Sequence, residues 1–160
     1  MFQDFKELLS AFSAHNVKYL IVGGYAVSFH AQPRFTKDLD IFILADHTNA
    51  KAAYDALLEF GAPMAEIHVD DLADPRKFLR FGFPPVAVDI LSGIDGVSFE
   101  EAWERRVEIV IDPTTGQKAL FISKQDLILS KLAAGRLRDL ADVEEIREAE
   151  ASILEKGENI

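Results

Sequence analysis

Residues 17–44 read VKYLIVGGYAVSFHAQPRFTKDLDIFIL, and their pattern decides the fold. The β-branched, aromatic and aliphatic run at 17–22 predicts a buried strand that stops at Gly23-Gly24, because glycine pairs favour a sharp turn. A helix is expected over about residues 25–31, and LDIFIL at 39–44 predicts a second strand. The stretch therefore predicts a strand, a helix and a second strand, with a diglycine at the first turn.

The rest of the chain predicts more helices and strands around this unit. Apolar periodicity and capping residues indicate further helices at 3–14, 48–60 (capped by Thr48 and stopped by Gly61), 123–134 and 138–156 (stopped by Gly157). Short apolar runs indicate two antiparallel strand pairs, 78–83 with 86–91 through Pro84-Pro85, and 107–111 with 118–122. This order predicts an α/β (α+β) mixed β-sheet flanked by helices, with a C-terminal helical pair. No linker divides it, so a single domain over residues 1–160 is expected.

Composition excludes several classes of protein. The chain has 160 residues, 49% of them apolar, with twelve phenylalanines and no cysteine. One domain of this size can close its own core, whereas a disordered chain would be far less apolar. No run approaches the ~20 apolar residues that span a membrane, and no secretory signal is visible, so a cytoplasmic protein without a membrane partner is expected. Thiol chemistry and disulfides are excluded.

The charge is acidic and uneven. The formal net charge is -10, and residues 141–160 carry seven acids against two bases. Broad contact with a nucleic acid backbone needs a basic face, so an extended nucleic-acid interface is disfavoured. A small acceptor or a short RNA end stays compatible with this charge.

Asp38 and Asp40 are the first candidate site residues. Strand alternation places them on one face, where two carboxylates repel unless a cation lies between them. Mg²⁺ is the usual cation in such a site, because it prefers oxygen ligands and leaves positions for phosphate oxygens. The alternative is that Asp38 only flanks the strand and Asp40 alone faces solvent.

Gly23 and Gly24 add a candidate phosphate site. A diglycine between a strand and a helix lets phosphate approach the backbone and the free N–H groups at the helix N-terminus. A positive φ at Gly24 would make glycine necessary there. The pattern lacks the spacing of GxGxxG and GxxxxGK[ST] motifs. Taken alone, such a pair is also consistent with a purely steric turn.

Asp89 is a third candidate, because it interrupts the apolar strand VAVDIL at 86–91. A carboxylate in a buried strand is costly unless it is paired or metal-bound. Beside Asp38 and Asp40 it would complete a site for two metals. The alternative is a structural acid at the end of the strand, bonded to an arginine.

Together these motifs resemble a known superfamily. The diglycine, RFTKDLDIFI at 34–43 and VAVDIL at 86–91 are similar to the minimal nucleotidyltransferases of the DNA polymerase beta-like superfamily. The R-x-T-x-D-h-D form and DLILSKLAAGRLRDLADVEEI at 126–146 look closest to AbiEii-type toxins and related stand-alone bacterial enzymes. The resemblance covers about residues 17–146.

The resemblance implies a Mg²⁺-dependent transfer of a nucleoside monophosphate from an NTP such as ATP to a hydroxyl acceptor. It assigns the triphosphate to Gly23 and Gly24, the metals to Asp38 and Asp40, and the catalytic metal and acceptor hydroxyl to Asp89, and it places Lys131 near the phosphates. Two features depart from the pattern. Tyr25 stands where a small hydroxyl residue often follows the glycines, and the chain is shorter than typical toxins of this type.

Four basic residues could meet phosphate charge. Arg34 and Lys37 precede the two aspartates of the second strand, and Lys131 and Arg136 lie near the end of a predicted helix. Each is equally consistent with an ordinary surface cation. The four histidines show no metal-ligand spacing.

Three functional hypotheses follow. The first is a nucleotidyltransferase, toxin-like if its acceptor is an RNA end or a protein hydroxyl, with an antitoxin as a candidate partner. The second is an antibiotic-modifying enzyme with a small-molecule acceptor. The third is a non-catalytic member of the same fold that binds a nucleotide or a protein.

Overall fold

A computed structural model describes residues 1–83 and 86–158. Within them the chain forms seven helices and six strands in an α/β arrangement. In chain order these elements are α1 (Gln3–Ala14), β1 (Tyr19–Val22), α2 (Gly23–His30), β2 (Asp38–Ile43), α3 (His47–Phe60), α4 (Val69–Leu72), β3 (Phe78–Phe83), β4 (Val86–Leu91), α5 (Phe99–Glu104), β5 (Val107–Asp112), β6 (Gln117–Phe121), α6 (Lys124–Ala134) and α7 (Leu137–Glu158).

The six strands form one mixed sheet in the order β3-β4-β2-β1-β6-β5. The β1/β2, β3/β4 and β5/β6 pairs are antiparallel, whereas β1/β6 and β2/β4 are parallel. The predicted mixed sheet and both predicted antiparallel pairs are therefore confirmed. The connection predicted at Pro84-Pro85 lies outside the described residues.

The core lies between the sheet and its helices. Strand β1 is buried along its whole length, as expected for a central strand with apolar residues on both faces. The buried residues of α1 follow the predicted helical spacing and are Phe5, Leu8, Leu9 and Phe12. Helix α1 packs against α3, and α6 packs against α7, which confirms the C-terminal helical pair. None of the helices in the described ranges is long and apolar enough to cross a membrane.

Several predicted boundaries were wrong. The N-cap of α3 is Asp46, whose carboxylate accepts a hydrogen bond from the backbone N–H of Asn49, and Thr48 lies inside the helix. Helix α2 begins at Gly23, two residues earlier than predicted. Helix α7 continues through Gly157, so this glycine does not stop it. The short helices α4 and α5 were not predicted at all.

Candidate functional site

The three candidate aspartates lie on two neighbouring strands. Strands β2 and β4 run parallel, and their register places Asp40 directly beside Asp89. Asp38 precedes Asp40 by two residues and so lies on the same face. All three line one cavity of about 560 Å³ together with Gly23 and Gly24. The structure thus brings the carboxylates and the diglycine together, as the spacing predicts.

Asp38 is also exposed to the cavity. This residue is the first of β2, and its side chain is 41% exposed. The alternative in which only Asp40 faces solvent is therefore wrong.

Position 23 requires glycine, because the backbone there has a positive φ and lies close to the Asp40 carboxylate. Its φ is +64°, in the left-handed region that L side chains rarely adopt. A Cβ added at Gly23 would also overlap the Asp40 carboxylate. At Gly24 an added Cβ would come 2.7 Å from the Thr36 methyl group. The positive φ expected at Gly24 belongs instead to Gly23, because the chain turns one residue earlier than predicted.

Helix α2 begins at this turn, and its first two residues, Gly23 and Gly24, line the cavity. The preceding residue is Val22, whose apolar side chain cannot cap the helix. Uncapped N–H groups and the positive end of the helix dipole attract anions. This end of the cavity can therefore accept a phosphate group.

Burial raises the pKa of Asp40 to about 7. The nearby carboxyls of Asp89 and Asp38 act in the same direction, because a further negative charge beside them is unfavourable, while Lys131 acts against the shift. A negative charge on Asp40 is therefore poorly compensated by its surroundings.

Arg80 is a site residue that sequence reasoning missed. It lies on β3, opposite Asp89 in the antiparallel β3/β4 register. One guanidinium nitrogen donates to Asp89 Oδ2 at 2.8 Å and another to Asp38 Oδ2 at 3.3 Å. The alternative interpretation of Asp89, a carboxylate bonded to an arginine, is therefore present in the structure. The other oxygen, Asp89 Oδ1, is buried without a hydrogen-bond partner.

Basic residues from other parts of the chain also line the cavity. Lys131 Nζ donates to Asp139 at 3.3 Å and to Asp142 at 2.8 Å. Arg34 donates to Asp142 at 3.0 Å, and Arg136 donates to Asp139. Lys131, Arg34 and Arg136 are thus held in place by two buried acids of α7 that sequence reasoning did not assign to the site.

The two α7 acids stay ionised because of these cations. Burial acts to raise the pKa of Asp139, but hydrogen bonds and charge from Arg136 and Lys131 outweigh it and lower the pKa. The pKa of Asp142 is lowered in the same way, with burial opposed by Lys131 and Arg34. The charges of Lys131, Arg34 and Arg136 are therefore paired, which reduces the net positive charge that these residues bring to the cavity.

Two predicted features lie away from this cavity. Lys37 is exposed and is not among the residues that line the cavity. The Tyr25 hydroxyl donates to the backbone oxygen of Thr36, so it braces the segment before β2. The structure thus brings Arg34 and Lys131 to the cavity and leaves Lys37 outside it.

Candidate metal ligands are the oxygens of Asp38, Asp40 and Asp89. Across residues 1–83 and 86–158, no three acidic or histidine side chains already lie close enough to form a complete metal site. Arg80 lies between Asp38 and Asp89 and bonds to both of them.

Comparison with known proteins identifies a family and similar folds. Residues 1–152 match the family described as "Nucleotidyltransferase of unknown function (DUF6036)". The lincosamide antibiotic adenylyltransferase LnuA, solved with lincomycin bound, has a TM-score of 0.52 at 18% identity, over 92% of this chain and 96% of that one. A nucleotidyltransferase-like antigenic protein from Paracoccidioides brasiliensis has a TM-score of 0.51 at 17% identity, over 94% and 85%. These likenesses confirm the predicted fold. No curated protein is significantly similar in sequence.

Proposed function

Since the chain belongs to the DUF6036 family of nucleotidyltransferases, we propose that it transfers a nucleoside monophosphate from an NTP to a hydroxyl acceptor, with release of pyrophosphate. The observation that carries this proposal is the convergence of Asp38, Asp40 and Asp89 with the Gly23 turn in one cavity. The carboxylates provide oxygen ligands for a metal, and the turn provides backbone donors for phosphate. Nucleotidyl transfer needs both at one place.

The residues present fit Mg²⁺. Asp89 Oδ1 is a buried oxygen without a partner, and burial beside two other carboxyls raises the pKa of Asp40 to about 7. Both features fit a nearby cation, and carboxylate oxygens are the ligands that Mg²⁺ prefers. Asp38 and Asp40 would hold the metal that accompanies the triphosphate, and Asp89 would hold a second. When bound, Mg²⁺ would neutralise phosphate charge and polarise the transferred phosphoryl group.

The chain's own residues divide the remaining work. The N-terminal N–H groups of α2 bind the triphosphate, and Gly23 allows phosphate to approach without a side chain in the way. Lys131 and Arg34, which both bond to Asp142, supply positive charge to the cavity. Asp89 accepts the proton of the acceptor hydroxyl, whose oxygen then bonds to the α-phosphorus. The bond from the α-phosphorus to the bridging oxygen breaks, and pyrophosphate leaves with that electron pair.

Three observations bear on the identity of the acceptor. The formal charge of -10 favours a small cationic acceptor over RNA. LnuA is by its title an adenylyltransferase of lincosamide antibiotics, which are small molecules. The resemblance to AbiEii-type toxins favours an RNA end or a protein hydroxyl and an antitoxin partner. A cytoplasmic site of action, where NTPs are abundant, belongs to the same proposal.

Double labelling tests this function. The protein is incubated with Mg²⁺ and each NTP, labelled either at the α or at the γ phosphate, together with cell extract separated into small-molecule, RNA and protein fractions. We expect the α label to move to one fraction while the γ label is released as pyrophosphate. EDTA and Asp40→Asn should abolish both. Transfer of the γ label would contradict the proposal, and so would NTP binding without any transfer, which is the behaviour of a non-catalytic member of the fold.

A further inference from the structure

Arg80 occupies an unusual place among the arginines of the described chain. It extends from the edge strand β3 and bridges two carboxylates of different strands, Asp38 and Asp89, through two separate nitrogens. Its side chain is 49% exposed and lines the cavity. By contrast, the exposed Arg76 bonds to Asp74, a neighbour two residues away.

Arg80 occupies one oxygen in each of two carboxylates offered to a metal, Asp89 Oδ2 and Asp38 Oδ2, and leaves Asp89 Oδ1 without a partner. A charge-assisted hydrogen bond and a metal bond use the same carboxylate lone pairs, so the two cations compete at each oxygen. Arg80 brings one positive charge to a cluster of three carboxyl groups, and a divalent cation would bring two. The guanidinium therefore compensates the cluster only in part.

We propose that Arg80 is a built-in competitor of the metal at Asp38 and Asp89, so that the site binds a divalent cation tightly only when the triphosphate arrives with it. This inference rests on the proposed function, whose metal site it concerns. A free cation has to displace two charge-assisted hydrogen bonds without compensation. A cation that arrives with a triphosphate brings additional oxygen ligands, and the anionic phosphates give the released guanidinium a new partner inside the cavity that it already lines.

Such competition has a functional use. A nucleotidyltransferase whose carboxylates are already paired keeps its site compact in the absence of substrate, because the repulsion between carboxylates is partly neutralised. The departure of Arg80 then couples metal binding to nucleotide binding, and this coupling must be reciprocal. Arg80 is accordingly a positioning residue, since it acts through the carboxylates.

Metal affinity without nucleotide tests the inference. Binding of Mn²⁺, which reports by its paramagnetic signal, is measured in the absence of nucleotide for wild type, Arg80→Met and the control Arg76→Met. Methionine keeps much of the length of the arginine side chain and removes its charge and its donors. We expect Arg80→Met to bind Mn²⁺ at least about tenfold more tightly than wild type, since each charge-assisted bond contributes on this scale. Arg76→Met should bind as wild type does.

A second series adds a non-hydrolysable NTP. The advantage of Arg80→Met should shrink to less than about threefold, because wild-type Arg80 then contacts phosphate. Arg80→Gln is measured in the same way if Arg80→Met does not fold, as judged by circular dichroism. Equal or weaker Mn²⁺ binding by the neutral variant without nucleotide would overturn the inference.

The two proposals fail differently. If wild type transfers nucleotide but removal of Arg80 leaves Mn²⁺ affinity unchanged, only the competition is refuted. If Arg80→Met gains Mn²⁺ affinity while wild type shows no transfer in the double-label assay, the competition stands and the proposed function falls. Absence of Mn²⁺ binding by every variant, with and without nucleotide, overturns both.

Discussion

Replacement of Asp40 by asparagine should stabilise the metal-free protein at alkaline pH. The pKa of this carboxyl is about 7 in the folded protein, against a reference value of 3.8. The folded state therefore keeps a proton between about pH 4 and 7 that the unfolded state has lost. Stability contributed by this group is fully present below pH 4 and is lost as the pH rises through 7. The pKa of Asp40 is raised by about three units, and each unit corresponds to about 1.4 kcal/mol. Full ionisation of Asp40 therefore lowers the free energy of unfolding by about 4 kcal/mol.

The assay is urea unfolding in EDTA at pH 4 and pH 8. At pH 8 we expect Asp40→Asn to exceed wild type by about 2 to 4 kcal/mol in free energy of unfolding, because asparagine carries no charge into the cluster. At pH 4 the protonated carboxyl resembles the amide, and the difference should fall below about 0.5 kcal/mol. The control is Asp70→Asn, which removes a negative charge where the side chain is 90% exposed.

Two results would refute this reasoning. The first is a variant that is less stable than wild type at pH 8 in EDTA, which would mean that the charged carboxylate is well compensated by its surroundings. The second is an equal gain for Asp70→Asn, which would assign the effect to net charge in general. The stabilised Asp40→Asn variant should at the same time lose Mg²⁺-dependent NTP binding, since the charge that destabilises the free protein is the one that holds the metal.

Three further predictions concern the cavity. Asp89→Asn should still bind Mg·NTP but transfer at least ~100-fold more slowly in single-turnover assays, because its role falls in the transition state; near-normal transfer would leave it a structural acid. Gly23→Ala and Gly116→Ala both place alanine at positive φ, but only Gly23→Ala overlaps the Asp40 carboxylate, whereas Gly116 has open space around it. Thermal unfolding should show a larger loss of stability in Gly23→Ala than in Gly116→Ala. Calorimetry should show loss of NTP binding in Gly23→Ala and not in Gly116→Ala. Equal effects of the two substitutions would mean that the Gly23 turn has only a steric role. Lys131→Ala should weaken triphosphate binding more than monophosphate binding in calorimetry, and equal losses would indicate a packing role.

Much of the site could be predicted because strand alternation is a strong local rule. The two-residue period alone places Asp38 and Asp40 on one face, and the isolated acid in VAVDIL marks Asp89. The fold could be predicted because apolar periodicity in a long segment such as α1 indicates both the type of secondary structure and the face that is buried. The helices α4 and α5 have four and six residues, too few for periodicity to show.

Arg80 illustrates what the sequence contained but did not make obvious. The β3/β4 register pairs residue 83 with residue 86, and counting back along β3 from that pair places residue 80 opposite Asp89. Its second bond, to Asp38, depends on which strand lies beyond β4, and no local pattern specifies that order. The same holds for Asp142, whose contact with Arg34 joins residues 108 positions apart.

Some predictions failed where two residues suited to the same role lie close together in the sequence and only one of them has that role. Asp46 and Thr48 are both good N-caps and lie two residues apart, so the choice depends on the backbone that leaves β2. Arg34 and Lys37 are likewise close in sequence, yet only Arg34 lines the cavity. Side-chain direction in an irregular segment has no period from which it could be read.

The central claim is that the cavity between the carboxylates and the Gly23 turn binds the metal and the triphosphate. Anomalous diffraction from crystals grown with Mn²⁺ and a non-hydrolysable NTP tests it most directly. We predict an Mn²⁺ peak in contact with Asp38 and Asp40, triphosphate density at the N-terminus of α2, and Arg80 withdrawn from Asp38. Mn²⁺ and triphosphate bound elsewhere on the protein, with the Asp38–Arg80–Asp89 bridge intact, would contradict it.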